Sequence, residues 1–469
     1  MSDDAPDAPG DVLRMKRRSL LKATLAMGIG LSPLSPLSPL SPLSLRDASA
    51  RGRTTVGGRL SLRVPWPVLT MDPHRLEDGA AAIFGEALFD TLYMRDESGA
   101  FVASLAEGDP EPEGASLRVR VRTGLRTAKG KAFEARDAAG AIARSRSLGG
   151  RAWLADIPAP KLDGRSLVFA MRDASRLVRA LASPIVAMVP SGFTADAPDG
   201  TGPMKHTTRG DTVVLARNVL AARGPSYLDE VVVQAAPDLA ASLRAFESGA
   251  DDLGWLGSGL HEPRAGSRPF DFGAAGWAVL FTGRDAGTWD APGVAQRICD
   301  GIPPARLSYL ALGPAWTTEP EEGWGGAPTS LYVREDAPWL VELAKAIAAT
   351  ISRPSHEVTA KTVPAAEIAQ RRNSRSHTLA LDVVRPVAPG SFAAMIALAT
   401  ADNALRASEL VQHPPKLGEV PPRTMTRTMH CGVVGEIRVQ GGRAPDVQLA
   451  ASTTTSGFDL GASTRTRAR

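Results

Sequence analysis

The chain has 469 residues, of which 43% are hydrophobic, and this is enough for a sizeable core in two or three lobes. Its 54 Lys and Arg side chains nearly balance 50 Asp and Glu, and no basic stripe with interleaved aromatic residues occurs, so we expect no nucleic-acid partner. Cys299 and Cys431 form no paired-cysteine zinc or redox motif, and the sequence leaves open whether they form a disulfide.

Residues 1–50 have the order of a targeting segment. A basic stretch at 15–22 precedes an apolar run at 23–31 and a small-residue site at 48–50. The pair Arg17-Arg18, followed by Ser-Leu-Leu-Lys, resembles a twin-arginine signal. An uncleaved membrane anchor is the weaker alternative, because the apolar run is far shorter than the roughly 20 residues that span a bilayer.

Between the apolar run and the small-residue site, the triplet Ser-Pro-Leu repeats from residue 32 to 43. A proline at every third position cannot continue a helix, so this tract predicts an extended spacer. We therefore expect an exported protein in the periplasm or another extracytoplasmic space. Separately, we expect the protein to be a monomer.

After residue 59, short runs with strand-like alternation are interspersed with runs at helical spacing. The predicted strands are Leu60–Val64, Ser116–Val121, Leu167–Met171, Thr212–Ala216, Val231–Gln234, Trp277–Phe281, Ser330–Val333 and Leu379–Val384. The predicted helices are Ala80–Leu92, Ala135–Leu148, Leu239–Glu247 after the capping residue Asp238, and Trp339–Ile351 after Pro338. This mixture predicts an α/β protein with mixed sheets covered by helices, and the Gly/Pro-rich stretches at 196–203, 257–269 and 313–328 are predicted to be loops or lobe boundaries.

Six motifs occur in a fixed order along residues 58–400. They are Leu69-Thr70-Met71-Asp72-Pro73-His74; Glu86 to Leu92; Leu117 to Ala138; Gly200-Thr201-Gly202-Pro203; Arg217-Asn218 with Gly224 to Val231; and Ala245 to Asp251. Together they resemble the peptide-, dipeptide- and nickel-binding proteins of ABC importers, known as solute-binding protein family 5. A single motif such as the Gly-Thr-Gly-Pro turn is weak evidence, but six in the same order are strong evidence.

The resemblance implies a two-lobed periplasmic-binding-protein (venus flytrap) fold that closes on a ligand held between the lobes. It implies lobe I at 51–256 and about 402–457, and lobe II at 257–401. The tail at 458–469, which is rich in Thr, Arg and Ser, is predicted to be disordered. The chain after residue 401 is shorter than the usual long return through the first lobe.

The candidate ligand-binding residues are Asp72 and His74 in the opening loop, Trp255 and Trp277 as aromatic walls, and Arg385. Arg385 aligns with the position where peptide-binding members present an aspartate to the ligand's α-ammonium group. A guanidinium there would repel an amine and favour a carboxylate or phosphate. In the alternative interpretation of Arg385, a shifted loop carries it to the surface.

The sequence contains no Gly-x-Ser-x-Gly, no phosphate-binding loop and no His-Glu-x-x-His, and we therefore predict no catalytic residue, metal site or cofactor. The predicted function is binding of a peptide-like or other small polar solute for an ABC permease and ATPase in the membrane. A non-transporting relative that acts as an envelope sensor or docking protein is the first alternative. A secreted hydrolase is the second.

Overall fold

The structure is a computed structural model that describes residues 56–64, 66–255, 264–307, 323–415, 421–454 and 457–466. Residues 54–469 form one compact unit. The targeting segment predicted at 1–50 and large parts of two predicted loops, 257–263 and 313–322, lie outside the described residues. No helix of the described ranges is long and apolar enough to cross a membrane.

The secondary structure is mixed throughout. The strands are β1 (Arg59–Val64), β2 (Tyr93–Arg95), β3 (Phe101–Ala103), β4 (Glu111–Glu113), β5 (Ser116–Arg120), β6 (Lys161–Asp163), β7 (Ser166–Phe169), β8 (Met204–Arg209), β9 (Thr212–Arg217), β10 (Glu230–Ala235), β11 (Leu253–Trp255), β12 (Arg268–Thr282), β13 (Thr329–Arg334), β14 (Val358–Val363), β15 (Leu379–Val384), β16 (Cys431–Arg443), β17 (Val447–Ala451) and β18 (Phe458–Arg465). The helices are α1 (Gly79–Leu88), α2 (Ala135–Ser147), α3 (Ala174–Leu181), α4 (Leu239–Glu247), α5 (Val294–Asp300), α6 (Pro304–Leu307), α7 (Pro338–Ile351), α8 (Ala365–Ser374), α9 (Ser391–Asp402), α10 (Ala404–Gln412) and α11 (Pro422–Met425).

A ten-stranded sheet runs through both lobes in the order β14-β13-β15-β12-β16-β11-β1-β10-β9-β8. By the bounds predicted above, strands β11, β1, β10, β9 and β8 fall in lobe I, and β14, β13 and β15 fall in lobe II. The long antiparallel pair β12 and β16 joins the two halves. Its register shifts between Asp271 and Ala274 and again before Gly276. Such bulges bend a strand and increase its twist, so the crossing between the lobes lies at this irregular stretch.

Local sequence explains several of these elements. Helix α4 begins after Asp238, whose carboxylate accepts a hydrogen bond from the main-chain N–H of Ala241 at 2.6 Å, as an N-cap does. Helix α1 ends at Leu88, four residues before its predicted end, because the main-chain N–H of Gly202 donates to the Leu88 carbonyl at 3.0 Å. A Cβ at Gly202 would lie 2.6 Å from the Leu88 carbonyl carbon, which explains the glycine in this turn. The predicted α/β fold with mixed sheets is confirmed.

The C-terminal part of the chain differs from the prediction. Helices α10 and α11 pack on α9, and β16 begins at Cys431, which pairs with Phe281 of β12. The predicted disordered tail is wrong for residues 458–465, which form strand β18. The guanidinium of Arg465 donates two hydrogen bonds to Asp252, at 2.9 and 3.0 Å, and one to Asp446 at 2.8 Å. The polar composition of the C-terminal segment is typical of a solvated tail. The sequence does not show that Arg465 is buried, because its partner Asp252 lies 213 residues away.

Candidate functional site between the lobes

Several contacts cross from lobe I to lobe II on one side of the cleft. The rings of Trp66 and Trp339 meet edge to face with their centres 6.4 Å apart. The rings of Trp153 and Phe392 are tilted at the same separation. Aromatic pairs at this distance stabilise a contact by about 0.5–1.5 kcal/mol beyond their buried area. These pairs bring residues of the two predicted lobes into direct contact.

Arg385 forms the most extensive of these contacts. It follows β15 in lobe II and is only 2% exposed. Its Nε donates to the main-chain carbonyl of Arg75 at 2.9 Å, and one Nη donates to the carbonyl of Pro73. Its own main-chain N–H donates to the carbonyl of Leu76 at 2.9 Å. The alternative that Arg385 lies on the surface is wrong, because the opening loop of lobe I covers it.

The opening loop is itself held by a buried polar cluster. Asp72 receives two hydrogen bonds from Arg144, at 2.6 and 2.8 Å. Arg144 also donates to Nδ1 of His74 at 2.8 Å, while Nε2 of His74 donates to the carbonyl of Ala187 at 2.7 Å. Burial acts to raise the pKa of Asp72. The hydrogen bonds and the charge of Arg144, together with the hydrogen bond from the main-chain N–H of His74, outweigh burial and lower this pKa. Burial lowers the pKa of His74 to about 4, so its ring is neutral near pH 7.

Asp78 connects this loop to α1. Its carboxylate accepts hydrogen bonds from the main-chain N–H groups of Asp72, at 2.7 Å, and Ala81, at 2.8 Å. Burial raises the pKa of Asp78 to about 6, although the nearby charge of Arg385 acts in the opposite direction. The carboxylates of Asp78 and Asp72 compensate part of the buried positive charge of Arg385.

Two contiguous cavities lie between the lobes. We call the larger one the outer chamber; it measures about 220 Å³, and Trp277, Pro386, Ala388 and Ser391 of lobe II line much of it. The smaller one, the inner chamber, measures about 30 Å³. Pro184 and Thr454 of lobe I border both, so the two chambers are parts of one cleft.

The inner chamber is polar. Its lining includes the side chains of Glu86, Asp90, Ser104, Arg223 and Arg385. Asp90 is buried and accepts hydrogen bonds from Arg223, at 2.5 Å, and from the Thr201 hydroxyl of the Gly-Thr-Gly-Pro turn, at 2.7 Å. The hydrogen bonds from Thr201 to Asp90 and from the Gly202 N–H to the Leu88 carbonyl hold the turn against the end of α1.

The outer chamber is uncharged. Its walls are the indole of Trp277, four prolines and small side chains, so an apolar or neutral group fits it best. Trp277 is 5% exposed and pairs with Val384 on β15, the residue before Arg385. Strand β12 therefore carries a wall of the outer chamber as well as part of the connection between the lobes.

The predicted site residues lie partly at the two chambers and partly in the opening loop that covers Arg385. Trp277 borders the outer chamber and Arg385 the inner one. Asp72 and His74 line neither chamber and instead support the loop that covers Arg385. Trp255 ends β11, and its side chain lies outside the described residues. Ligand contact by these residues stays a prediction.

Sequence reasoning did not select Glu86, Asp90, Ser104 or Arg223. A signal was present for Glu86, which is a charged residue inside the otherwise apolar run of α1. For the other three, only the folded arrangement brings them to the chamber. Within the described residues, no group of three or more His, Cys, Asp or Glu is placed to hold a metal ion.

Solved structures resemble this one over most of the chain. The oligopeptide-binding protein AppA of Bacillus subtilis, solved with a nonapeptide, matches with a TM-score of 0.66 at 12% identity, over 88% of this chain and 100% of its own. NikA of Staphylococcus aureus, solved with Ni(L-His)2, gives 0.62 at 13%, over 87% and 100%. AgaA of A. tumefaciens R10, a binding protein solved with agropinic acid, gives 0.62 at 14%, over 88% and 99%.

The chain has the two-lobed fold of these binding proteins. The fold predicted from the ordered motifs is thereby confirmed. No family model and no curated protein matches the sequence. At 12–14% identity the similarity establishes the architecture, and the ligand has to be argued from the cleft itself.

Proposed function

We propose that this protein is an exported solute-binding protein that captures a small ligand between its lobes and delivers it to an ABC permease and its ATPase. The observation that carries the proposal is the cleft: two chambers lie between lobes that are joined by a bulged pair of crossing strands. Binding proteins of this architecture close on ligands by hinge motion. No covalent chemistry is part of the proposal.

The size of the cleft supports a small solute. Drug-sized ligands occupy pockets of about 300–1,000 Å³, and the outer chamber measures about 220 Å³. A long peptide would require the lobes to separate and the Arg385 contacts to break. The compared proteins were solved with a nonapeptide, with Ni(L-His)2 and with agropinic acid.

The targeting segment at 1–50 supports export through a twin-arginine-like signal and an extracytoplasmic location. A monomer is proposed, since a single chain contributes both lobes of the cleft. The export signal is tested by replacing Arg17-Arg18 with Lys-Lys. Loss of the protein from the extracytoplasmic fraction is expected, and unchanged export would contradict the twin-arginine route.

Binding in the cleft is tested by screening peptides, metal–histidine chelates, amines and opine-like acids by thermal shift, followed by calorimetry on the compounds that stabilise the protein. A ligand at a hundredfold excess over Kd stabilises the folded state by about 2.7 kcal/mol. The Ala388→Trp variant fills the outer chamber and should abolish binding. Its matched control is Ala240→Trp, at an exposed position of α4 that lines neither chamber. Equal affinity in the two variants would place the ligand elsewhere and overturn the proposal.

A further inference from the structure

The carboxylate of Glu86 is the unusual group in the inner chamber. It accepts a hydrogen bond from the Ser452 hydroxyl at 2.5 Å and another from Thr454. No Lys or Arg of the described residues forms an ion pair with it. An ionised carboxylate removed from water without a cationic partner is costly, and proteins normally pair such a group.

The neighbouring charges do not supply that partner. Arg223 attracts the Glu86 carboxylate electrostatically, but its Nε donates to Asp90 at 2.5 Å, and within the described residues it forms no ion pair with Glu86. Asp459 adds a further negative charge that disfavours ionisation of Glu86. Arg385, on the opposite wall, faces Asp78, Asp72 and Glu77. Within the described residues, Glu86 therefore has hydrogen-bond donors but no cation in ion-pair contact.

A second and independent observation concerns Ser104. Its side chain lines the same chamber and is 4% exposed, and its hydroxyl oxygen has no hydrogen-bond partner within the described structure. Buried hydroxyl groups are normally satisfied, so one left open toward a cavity indicates a missing ligand or water. The chamber thus offers one unpaired carboxylate and one unsatisfied hydroxyl.

The volume of the chamber limits what can enter. A space of about 10–15 Å³ holds one water molecule, and the inner chamber measures about 30 Å³. A primary ammonium group fits such a space, whereas a planar guanidinium with four heavy atoms exceeds it. Pro184 and Thr454 border both chambers, so the outer chamber is the neighbouring space for the rest of a molecule anchored at Glu86.

We infer that the inner chamber binds the primary ammonium group of a small amine, with Glu86 as its counter-ion and the Ser104 hydroxyl as a second acceptor. The remainder of the amine lies in the uncharged outer chamber against Trp277. This inference rests on the proposed binding function and specifies its ligand class. It places recognition of a cation on lobe I, opposite Arg385 of lobe II.

Calorimetry on the intact mature protein at pH 7.5 tests the inference with matched probes. The probes are 2-phenylethylamine, 2-phenylethanol and phenylacetate, together with n-butylamine, butan-1-ol and butanoate. We expect each amine to bind at least about tenfold more tightly than the alcohol or carboxylate of its series. Glu86→Gln, which retains the shape, should weaken amine binding at least about tenfold and leave alcohol binding unchanged.

Two further variants keep the test decisive. Glu107→Gln removes an exposed carboxylate that pairs with Arg165, and should leave amine affinity unchanged. Ser104→Ala removes the open hydroxyl without adding bulk to the chamber, and should weaken amine binding even if Glu86→Gln fails to fold. Full amine affinity in Glu86→Gln, or tighter binding of an alcohol or carboxylate in the cleft, would overturn the amine assignment and leave the binding function standing. Failure of all six probes and of the wider library would count against both.

Discussion

Replacing Arg385 by Met should loosen the contact between the lobes. Met retains an unbranched apolar stem of similar reach but removes the guanidinium, whose Nε and one Nη donate to the carbonyls of Arg75 and Pro73. Hydrogen bonds from a charged group are worth about 1.5–3 kcal/mol each. The desolvation cost of burying the cation offsets part of this gain. A net loss of about 2–3 kcal/mol is expected, since the main-chain hydrogen bond to Leu76 survives the substitution.

A change of that size alters the ratio of closed to open forms by roughly 30- to 150-fold. Small-angle X-ray scattering of the ligand-free protein should then show a larger radius of gyration for Arg385→Met than for the unaltered protein. Urea unfolding of the same samples reports the loss of global stability. Arg165→Met is the matched control, because its guanidinium pairs with Glu107 on the surface, where such pairs contribute about 0–1 kcal/mol. Identical scattering and identical unfolding midpoints for the two variants would refute the proposed role of Arg385.

Three further predictions concern stability and thiol chemistry. Arg465→Met should lower the free energy of unfolding by about 3–5 kcal/mol, since it leaves buried Asp252 without its cation; a urea midpoint unchanged from the unaltered protein would show that the C-terminal strand adds little. Because the pKa of His74 is about 4 in the folded state and 6.5 ordinarily, the folded protein binds fewer protons, and stability should fall by about 3 kcal/mol as pH drops from 6.5 to 4. Asp78, with its raised pKa, acts oppositely, so the difference between the unaltered protein and His74→Gln isolates the histidine, and parallel pH profiles would contradict this assignment. Both cysteines are buried free thiols, so a thiol reagent should label neither in the native protein and both in urea; native labelling would contradict their burial.

Much of the fold followed from local sequence signals. Helix α4 has the predicted bounds because Asp238 caps it, and β15 has the predicted bounds because its side chains are almost all buried. The central strand β12 was predicted only over Trp277–Phe281, although it begins at Arg268. The missing part contains Pro269 and the bulged stretch before Gly276, where alternation of apolar and polar side chains breaks down.

The candidate site was less accessible from the sequence. The opening loop with Asp72 and His74 was identified, but their partners Arg144 and Ala187 are 70 or more residues away, so their supporting role was not visible. The position of Arg385 was identified, but not that carbonyl groups of the other lobe bind it. Long-range main-chain contacts of this kind leave no trace in residue type or spacing. The polar composition of residues 458–469 led to the prediction of a disordered tail. In the structure Phe458–Arg465 is a strand, in which buried Arg465 pairs with the distant carboxylate of Asp252.

Native mass spectrometry of the protein purified from its own cell envelope tests capture of a ligand between the lobes most directly. We predict a bound small molecule of defined mass, which carries an amine, raises the melting temperature when added back, and is lost in the Ala388→Trp variant that fills the outer chamber. A protein that is recovered empty and whose melting temperature responds to no peptide, chelate, amine or acid would contradict the binding function. A molecule retained in full by Ala388→Trp would place the binding site outside the cleft.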